Sequence, residues 1–111
     1  MPEGVLAFRR MREVTDETFE REVLQVGGKV VVDFWAPWCG PCKAVESLLE
    51  RLEAENGHAV FAKVNVDENP AFASRYGVLA LPTTIVFERG EPVDTLVGVR
   101  PRSDYQRALG I

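Results

Sequence analysis

The two cysteines of this 111-residue chain, Cys39 and Cys42, stand in the stretch Trp38-Cys39-Gly40-Pro41-Cys42-Lys43. An apolar run at residues 30–36 precedes them, and an amphipathic helical pattern follows at once. A cysteine pair between a strand and the first turn of a helix is suited to thiol–disulfide exchange. Unpaired backbone N–H groups and the helix dipole favour a negative sulfur there. We therefore expect a reactive thiolate at Cys39.

Cys42 follows one helical turn later, and we expect it to face inward and to attack a mixed disulfide formed at Cys39. Pro41 stiffens the turn, and Gly40 leaves room for the backbone of a partner. Lowering the pKa of Cys39 from about 8.5 to about 7 raises the thiolate fraction at neutral pH from roughly 3% to roughly 50%. It also lowers the nucleophilicity roughly fivefold, so the net gain is only about threefold. Most of the acceleration must then come from orienting a docked disulfide.

Two other uses of the cysteine pair are disfavoured. A zinc site needs four ligands, and the sequence has one histidine, His58, and no second Cys-x-x-Cys pair. We therefore expect no bound metal. An inert structural disulfide is equally disfavoured, because closing so short a loop restrains the unfolded chain little.

Composition indicates one globular domain over residues 1–111, with residues 1–8 as a loosely ordered lead. The net charge of −4 argues against nucleic-acid binding, and no apolar run approaches the roughly 18 residues of a membrane span. The acidic lead lacks a basic region before its short apolar patch, so we expect no secretory signal and a cytoplasmic location. An upstream signal or anchor would instead indicate an exported or membrane-tethered reductant. The basic cluster at residues 9–12 is interpreted as a solvated strand edge.

Hydrophobic periodicity predicts alternating strands and helices, followed by a hairpin and a last helix. The predicted strands are residues 9–14, 30–36, 59–65, 83–88 and 93–99, the last two joined by residues 89–92. The predicted helices run from Thr15 to a stop at Gly27-Gly28, from the cysteine turn to Glu55, from Asn69-Pro70 to Gly77, and from a capping box formed by Ser103 and Gln106. The fold class is thus α/β: a mixed sheet of about five strands, with a parallel βαβ half and an antiparallel ββα half, flanked by about four helices.

The second helix has a clear amphipathic pattern. Val45, Leu48, Leu49 and Leu52 form its apolar stripe. We expect the acidic residues of this helix to face water; they are Glu46, Glu50, Glu53 and Glu55.

The stretch from Val32 to Lys43 closely resembles the active-site segment of the thioredoxin family. The resemblance runs from about Val14 to Leu109 and includes residues 62–67, residues 76–78 and Leu81-Pro82-Thr83. It implies a thioredoxin-like fold and a thiol–disulfide oxidoreductase that reduces disulfides in client proteins. The Gly-Pro pair between the cysteines resembles that of the reducing members.

The resemblance assigns catalytic roles by position. Cys39 would be the attacking thiol, Cys42 the resolving thiol, and Asp33 the buried carboxylate beneath Cys42 that moves its proton, with Lys63 beside Asp33. An Asp inside an apolar strand should also have a raised pKa on physical grounds alone. The alternative interpretation is a strand-end salt bridge between Asp33 and Lys63.

The resemblance also implies a docking surface for clients. Pro82 would be a cis-proline facing the cysteines, and the backbone of Leu81 would pair with the client chain as an added strand. The rest of the docking surface would comprise Trp38, Gly40, Pro41, Ala80, Gly98 and Val99. For Trp38 the alternative is a partly exposed core aromatic, and for Trp35 core packing and shielding of the site are both open.

The resemblance further implies a monomer without a bound cofactor, regenerated by a thioredoxin reductase that draws on NADPH. A different class of function, a redox-independent binding or chaperone module that uses the same apolar surface, remains the alternative. The chain also departs from the family pattern: Ser47 occupies the position of the usual helix proline and follows the acidic Glu46. These changes bear on helix shape and client preference.

Overall fold

Five strands form a single mixed sheet in the computed structural model, which describes residues 11–111. The strands are β1 (Arg12–Glu13), β2 (Lys29–Trp35), β3 (Val60–Asn65), β4 (Thr83–Glu88) and β5 (Glu91–Val97). The helices are α1 (Glu20–Leu24), α2 (Gly40–Glu55), α3 (Ala71–Arg75) and α4 (Arg102–Leu109). The spatial order is β1-β3-β2-β4-β5; β1 and β2 pair with β3 in parallel, and the β2–β4 and β4–β5 pairs are antiparallel. The predicted order of elements and fold class are confirmed, whereas the proposed lead at residues 1–8 lies outside the described residues.

Strand β2 lies at the centre of the sheet, and its residues alternate between two buried clusters. Val30, Val32 and Phe34 belong to one cluster, which includes residues of α1 and α3. Val31 belongs to the other cluster, with Val45 of α2 and residues of α4. Because alternate residues of a strand point to the same face, Asp33 shares the face of Val31. The strand therefore directs one carboxyl group toward α2.

Helix α2 begins directly after Cys39, with Pro41 in its first turn, and runs uninterrupted past Ser47 to Glu55. Its buried residues include Cys42 and Val45, as the amphipathic pattern predicts. The expectation that Glu53 faces water is wrong, because its exposure is only 8%. The cause is helical geometry: Glu53 stands four residues after the fully buried Leu49, on the same face.

The ends of the shorter helices differ from the predictions. The first predicted helix is reduced to the π-helix α1, although Phe19 and Val23 are buried as its periodicity indicates. Asn69 does not cap α3: its side-chain oxygen accepts a hydrogen bond from the backbone N–H of Asp16, at 3.0 Å. The Asp16 carboxylate in turn accepts one from the N–H of Ala71, at 3.2 Å. A residue distant in sequence has replaced the local cap.

The capping box predicted for the last helix is also wrong. Pro101 is the residue that precedes α4, and it makes no side-chain hydrogen bond to the helix. Ser103 lies inside α4 instead, one residue after its start. Pro101 can precede a helix because its fixed φ and extended ψ suit the turn into the first helical residue.

A tight turn joins β4 to β5. The four-residue link that the sequence predicts is reduced to Arg89 and Gly90, whose φ angles are 52° and 81°. Two consecutive positive φ angles are typical of the hairpin turns that match the twist of antiparallel strands. Pro92 accordingly lies within β5, paired with Phe87, and β5 ends at Val97 before Gly98.

Candidate active site

Cys39 and Cys42 form a disulfide at the N-terminus of α2, with their Cα atoms 5.4 Å apart. Both side chains are nearly buried, with exposures of 5% and 3%. The backbone N–H of Cys39 donates a hydrogen bond to the carbonyl of Ala36 at 3.1 Å, which closes the turn between β2 and α2. The structure therefore brings the two predicted thiols into covalent contact at a helix start, where the backbone stabilises negative sulfur.

Asp33 is fully buried on the sheet face that α2 covers. Its neighbours in the sheet are Lys63 on β3 and Thr84 on β4. Neither carboxyl oxygen has a hydrogen-bond partner within residues 11–111. Burial, and to a smaller extent the charge of Glu46, raise the pKa of Asp33 to about 7, while the charge of Lys63 opposes that rise. The carboxyl group can therefore gain and lose a proton near neutral pH.

Lys63 pairs with Glu46 and not with Asp33. Its ammonium nitrogen also lies 5.4 Å from the centre of the Trp35 ring. The alternative of a salt bridge between Asp33 and Lys63 is therefore wrong. Glu46 is half-buried, so an ion pair with it costs less desolvation than one with a carboxylate in the closed interior.

Glu46 is the site residue that sequence reasoning failed to place, since it was expected only to face water. One signal could have found it. Glu46 follows Cys42 by four residues, and residues four apart lie on the same side of a helix. A carboxylate four residues after an inward-facing cysteine is therefore expected to lie near the cysteine pair.

A small cavity of about 60 Å³ borders the disulfide. It is lined by Trp35, Ala36, Pro37, Cys39, Cys42, Lys43 and Glu46. Trp35 is half-buried, and its indole N–H has no acceptor in the part of the chain that is described. Trp35 therefore borders the disulfide cavity, and the choice between core packing and shielding of the site stays open.

The residues expected to dock clients collect at one end of the sheet. The Leu81–Pro82 peptide bond is cis, and Pro82 is buried immediately before Thr83, which pairs with Phe34 near the end of β2. Gly98 donates its backbone N–H to the carbonyl of Pro82 at 2.8 Å. This bond joins the loop after β5 to the loop before β4, at the end of β2 from which the cysteine turn begins.

The side chains around these loops are largely open to solvent. Trp38 is 70% exposed, which excludes the alternative of a core aromatic, and its indole N–H donates to Asp67 at 3.1 Å. Val99 is 55% exposed, and Ala80 is exposed while its carbonyl accepts from the Thr83 hydroxyl at 2.6 Å. Gly40 and Pro41 are exposed at the start of α2, and Leu81 is half-buried.

The described residues contain no helix long and apolar enough to cross a membrane. The same residues contain no group of three or more His, Cys, Asp or Glu side chains that could hold a metal ion.

A disulfide between two cysteines one turn apart at a helix N-terminus, in a chain built on a mixed five-stranded sheet, is typical of a thiol–disulfide oxidoreductase. The family model described as Thioredoxin matches residues 10–110. A thioredoxin of Streptomyces clavuligerus is 45% identical over 97 residues, which cover 87% of this chain and 91% of that protein. A thioredoxin of Staphylococcus aureus is 46% identical over 98 residues, covering 87% and 92%. The chain belongs to the thioredoxin family and is an oxidoreductase that acts by dithiol–disulfide exchange.

Proposed function

We propose that the reduced chain transfers two electrons to disulfides in client proteins, with Cys39 as attacking thiol and Cys42 as resolving thiol. The Cys39 thiolate attacks one client sulfur, and the other client sulfur leaves as a thiolate that takes up a proton. Cys42 then loses its proton and attacks the Cys39 sulfur of the mixed disulfide. The bond between Cys39 and the client sulfur breaks, that sulfur leaves as a thiolate that takes up a proton, and the Cys39–Cys42 disulfide remains. The observation that carries this proposal is that disulfide at the start of α2.

Asp33 accepts the Cys42 proton in the resolving step, with Lys63 as its charged neighbour. Its burial, the lack of a hydrogen-bond partner for its oxygens among residues 11–111 and its pKa of about 7 support the assignment, because an unperturbed carboxylate would be too weak a base. The face that Asp33 shares with Val31 directs its carboxyl group toward α2, the helix that carries Cys42.

Client proteins dock on the surface at the end of the sheet. The surface comprises Trp38, Ala80, Leu81, Pro82, Gly98 and Val99, with the active-site turn at Gly40 and Pro41. The backbone of Leu81 pairs with an extended client segment beside the cysteines. Trp35 shields the disulfide from below. The exposure of Trp38 and Val99 supports this assignment.

Membership of the thioredoxin family supports the remaining parts of the proposal. A thioredoxin reductase that draws on NADPH regenerates the dithiol, and the chain itself holds no cofactor. The protein acts as a monomeric single domain in the cytoplasm.

A trapping experiment tests the proposal. Cys42→Ser removes the resolving thiol, so clients should accumulate as mixed disulfides with Cys39 that a reductant releases. The matched control is the double variant Cys39→Ser/Cys42→Ser, which should trap nothing. If Cys42→Ser traps no protein while Cys39 still reacts with a thiol-labelling reagent, client reduction is overturned. Retention of biological function by Cys39→Ser would instead support the redox-independent binding module.

A further inference from the structure

Glu46 lies where α2 faces the cysteine cavity. It lines the same cavity as Cys42, and its carboxylate forms an ion pair with the Lys63 ammonium. The two side chains are 31% and 18% exposed, so the pair stands between solvent and the sheet interior. Glu46 thus forms part of the wall of the cavity that borders the disulfide.

One ammonium group lies close to two carboxyl groups. Lys63 pairs in register with Asp33 on the adjacent strand, so their side chains leave the sheet on the same face. The ammonium nevertheless binds Glu46, and both oxygens of Asp33 lack hydrogen-bond partners among the described residues. A buried carboxyl without a partner favours its neutral, protonated form.

We propose that Glu46 is a positioning residue for the resolving step: by pairing with Lys63, it keeps that ammonium from neutralising the Asp33 carboxylate and so makes Asp33 a stronger base for the Cys42 proton. The inference rests on the proposed role of Asp33 as proton acceptor for Cys42. Glu46 does not touch the reacting sulfur in this scheme; it acts through the charge that Lys63 presents to Asp33. The consequence is that the pH at which Asp33 becomes a base is set by a residue of α2.

The other groups near Asp33 do not add a charge that would control its protonation. Helix α4 contributes Tyr105, whose pKa is raised mainly by its own burial, and the buried Cys42 of α2 carries no charge in the disulfide. Strand β4 contributes Thr84, which carries no charge. Glu46 raises the pKa of Asp33 and Lys63 lowers it. Removing the Glu46 charge therefore takes away a negative charge that disfavours ionisation of Asp33. It also frees the Lys63 ammonium to approach Asp33.

Glu46→Gln tests the inference with a readout that does not depend on activity. In the oxidised protein, the carboxyl-carbon NMR signal of Asp33 should titrate about one pH unit lower than in the wild type, since a nearby cation favours the carboxylate. The matched control is Glu50→Gln, which removes a half-buried carboxylate from the next turn of α2 and should leave the titration unchanged. An unchanged or higher midpoint in Glu46→Gln overturns the inference.

A Lys63→Met background tests whether Glu46 acts through the ammonium. The shift caused by Glu46→Gln should be clearly smaller when Lys63 is absent, as expected for coupled residues. An equal shift in both backgrounds overturns the inference, since Glu46 would then act by its own charge alone. Thermal unfolding of each variant verifies that the fold is retained.

The pH dependence of client reduction separates this inference from the proposed function. If the titration midpoint falls and the pH–rate profile follows it, both are supported. If the midpoint falls while the pH–rate profile stays in place, Glu46 controls Asp33 as inferred, but Asp33 is not the proton acceptor.

Discussion

Trp38 presents a large apolar surface directly before Cys39. The residue is 70% exposed, yet its indole N–H donates to Asp67, a hydrogen bond that restrains the ring. An ordered aromatic ring loses little conformational freedom when a partner covers it, and such residues often dominate binding energy. Selectivity among clients should therefore depend on Trp38 more than on the cysteines.

Trp38→Ala should raise the KM for a protein disulfide about tenfold, equivalent to about 1.4 kcal/mol, with little change in kcat. The reason is that docking area is lost while the dithiol remains intact. Steady-state reduction of a protein substrate measures the effect. A small disulfide that contacts only the sulfurs serves as the control substrate and should be reduced at the wild-type rate.

Trp38→Phe is the matched variant for the same measurement. It keeps an aromatic face but loses the hydrogen bond to Asp67, so its KM should fall between those of the wild type and Trp38→Ala. If Trp38→Ala lost equal activity toward protein and small disulfides, a docking role would be contradicted. The substitution would then affect the thiol chemistry itself.

The β4–β5 turn packs against the segment that contains α1. A Cβ atom at Gly90 would lie 2.5 Å from the backbone carbonyl oxygen of Leu24, a distance that backbone atoms cannot accommodate without movement. The backbone N–H of Arg89 also donates to the carbonyl of Gly28, at 3.4 Å. The turn thus ties the hairpin to the chain just before β2, the strand that carries Asp33.

Gly90→Ala should lower the free energy of unfolding by about 2–3 kcal/mol, because it combines backbone strain at a positive φ with the clash against Leu24. Urea denaturation measures the change. Gly77→Ala is the matched control: its φ is also positive, at 70°, but a Cβ atom there meets no atom within 4 Å. It should cost only about 1–2 kcal/mol. Equal losses in the two variants would show that the Leu24 contact is easily relieved.

The stability of the whole molecule depends on the protonation of Asp33. Its pKa is about 7 in the folded protein, against an ordinary value of 3.8. Between these two values the folded state keeps a proton that the unfolded state has released. The free energy of unfolding must then decrease as pH rises through this window, because ionisation is easier in the unfolded chain. A pKa shift of this size lowers the free energy of unfolding by about 4 kcal/mol once Asp33 is ionised in the folded protein.

Asp33→Asn should remove this pH dependence. In the oxidised protein, the variant should gain stability over the wild type as pH rises from about 4 to about 7, with the gain levelling off above that range. Urea denaturation over this pH range measures the difference. Asp104→Asn is the control: Arg100 holds the pKa of the half-buried Asp104 below its ordinary value, so the contribution of Asp104 to stability changes only at lower pH. If the difference in unfolding free energy between Asp33→Asn and the wild type stayed constant with pH, a raised pKa of Asp33 would be contradicted.

Much of the architecture could be predicted because its signals are local. The apolar run before the cysteines predicts a buried central strand, and the regular spacing of Val45, Leu49 and Leu52 predicts the face of α2 that packs on it. Helix ends were predicted less well. Asn69 has good local capping chemistry, but Asp16 supplies the hydrogen bond to α3 from 55 residues away. Local propensity carries no information about such a distant competitor.

The sequence by itself determined the reaction, because the spacing of Cys39 and Cys42 around Gly-Pro places two thiols one helical turn apart. It also determined that Asp33 stands in an apolar strand, and hence the direction of its pKa. Only the tertiary structure decided the ion pairing around that carboxyl, since Lys63 could reach either of two acids. Because Glu46 is partly exposed, its ion pair with Lys63 costs less desolvation than an ion pair with the buried Asp33 would. The burial of each acid is a property of the assembled fold.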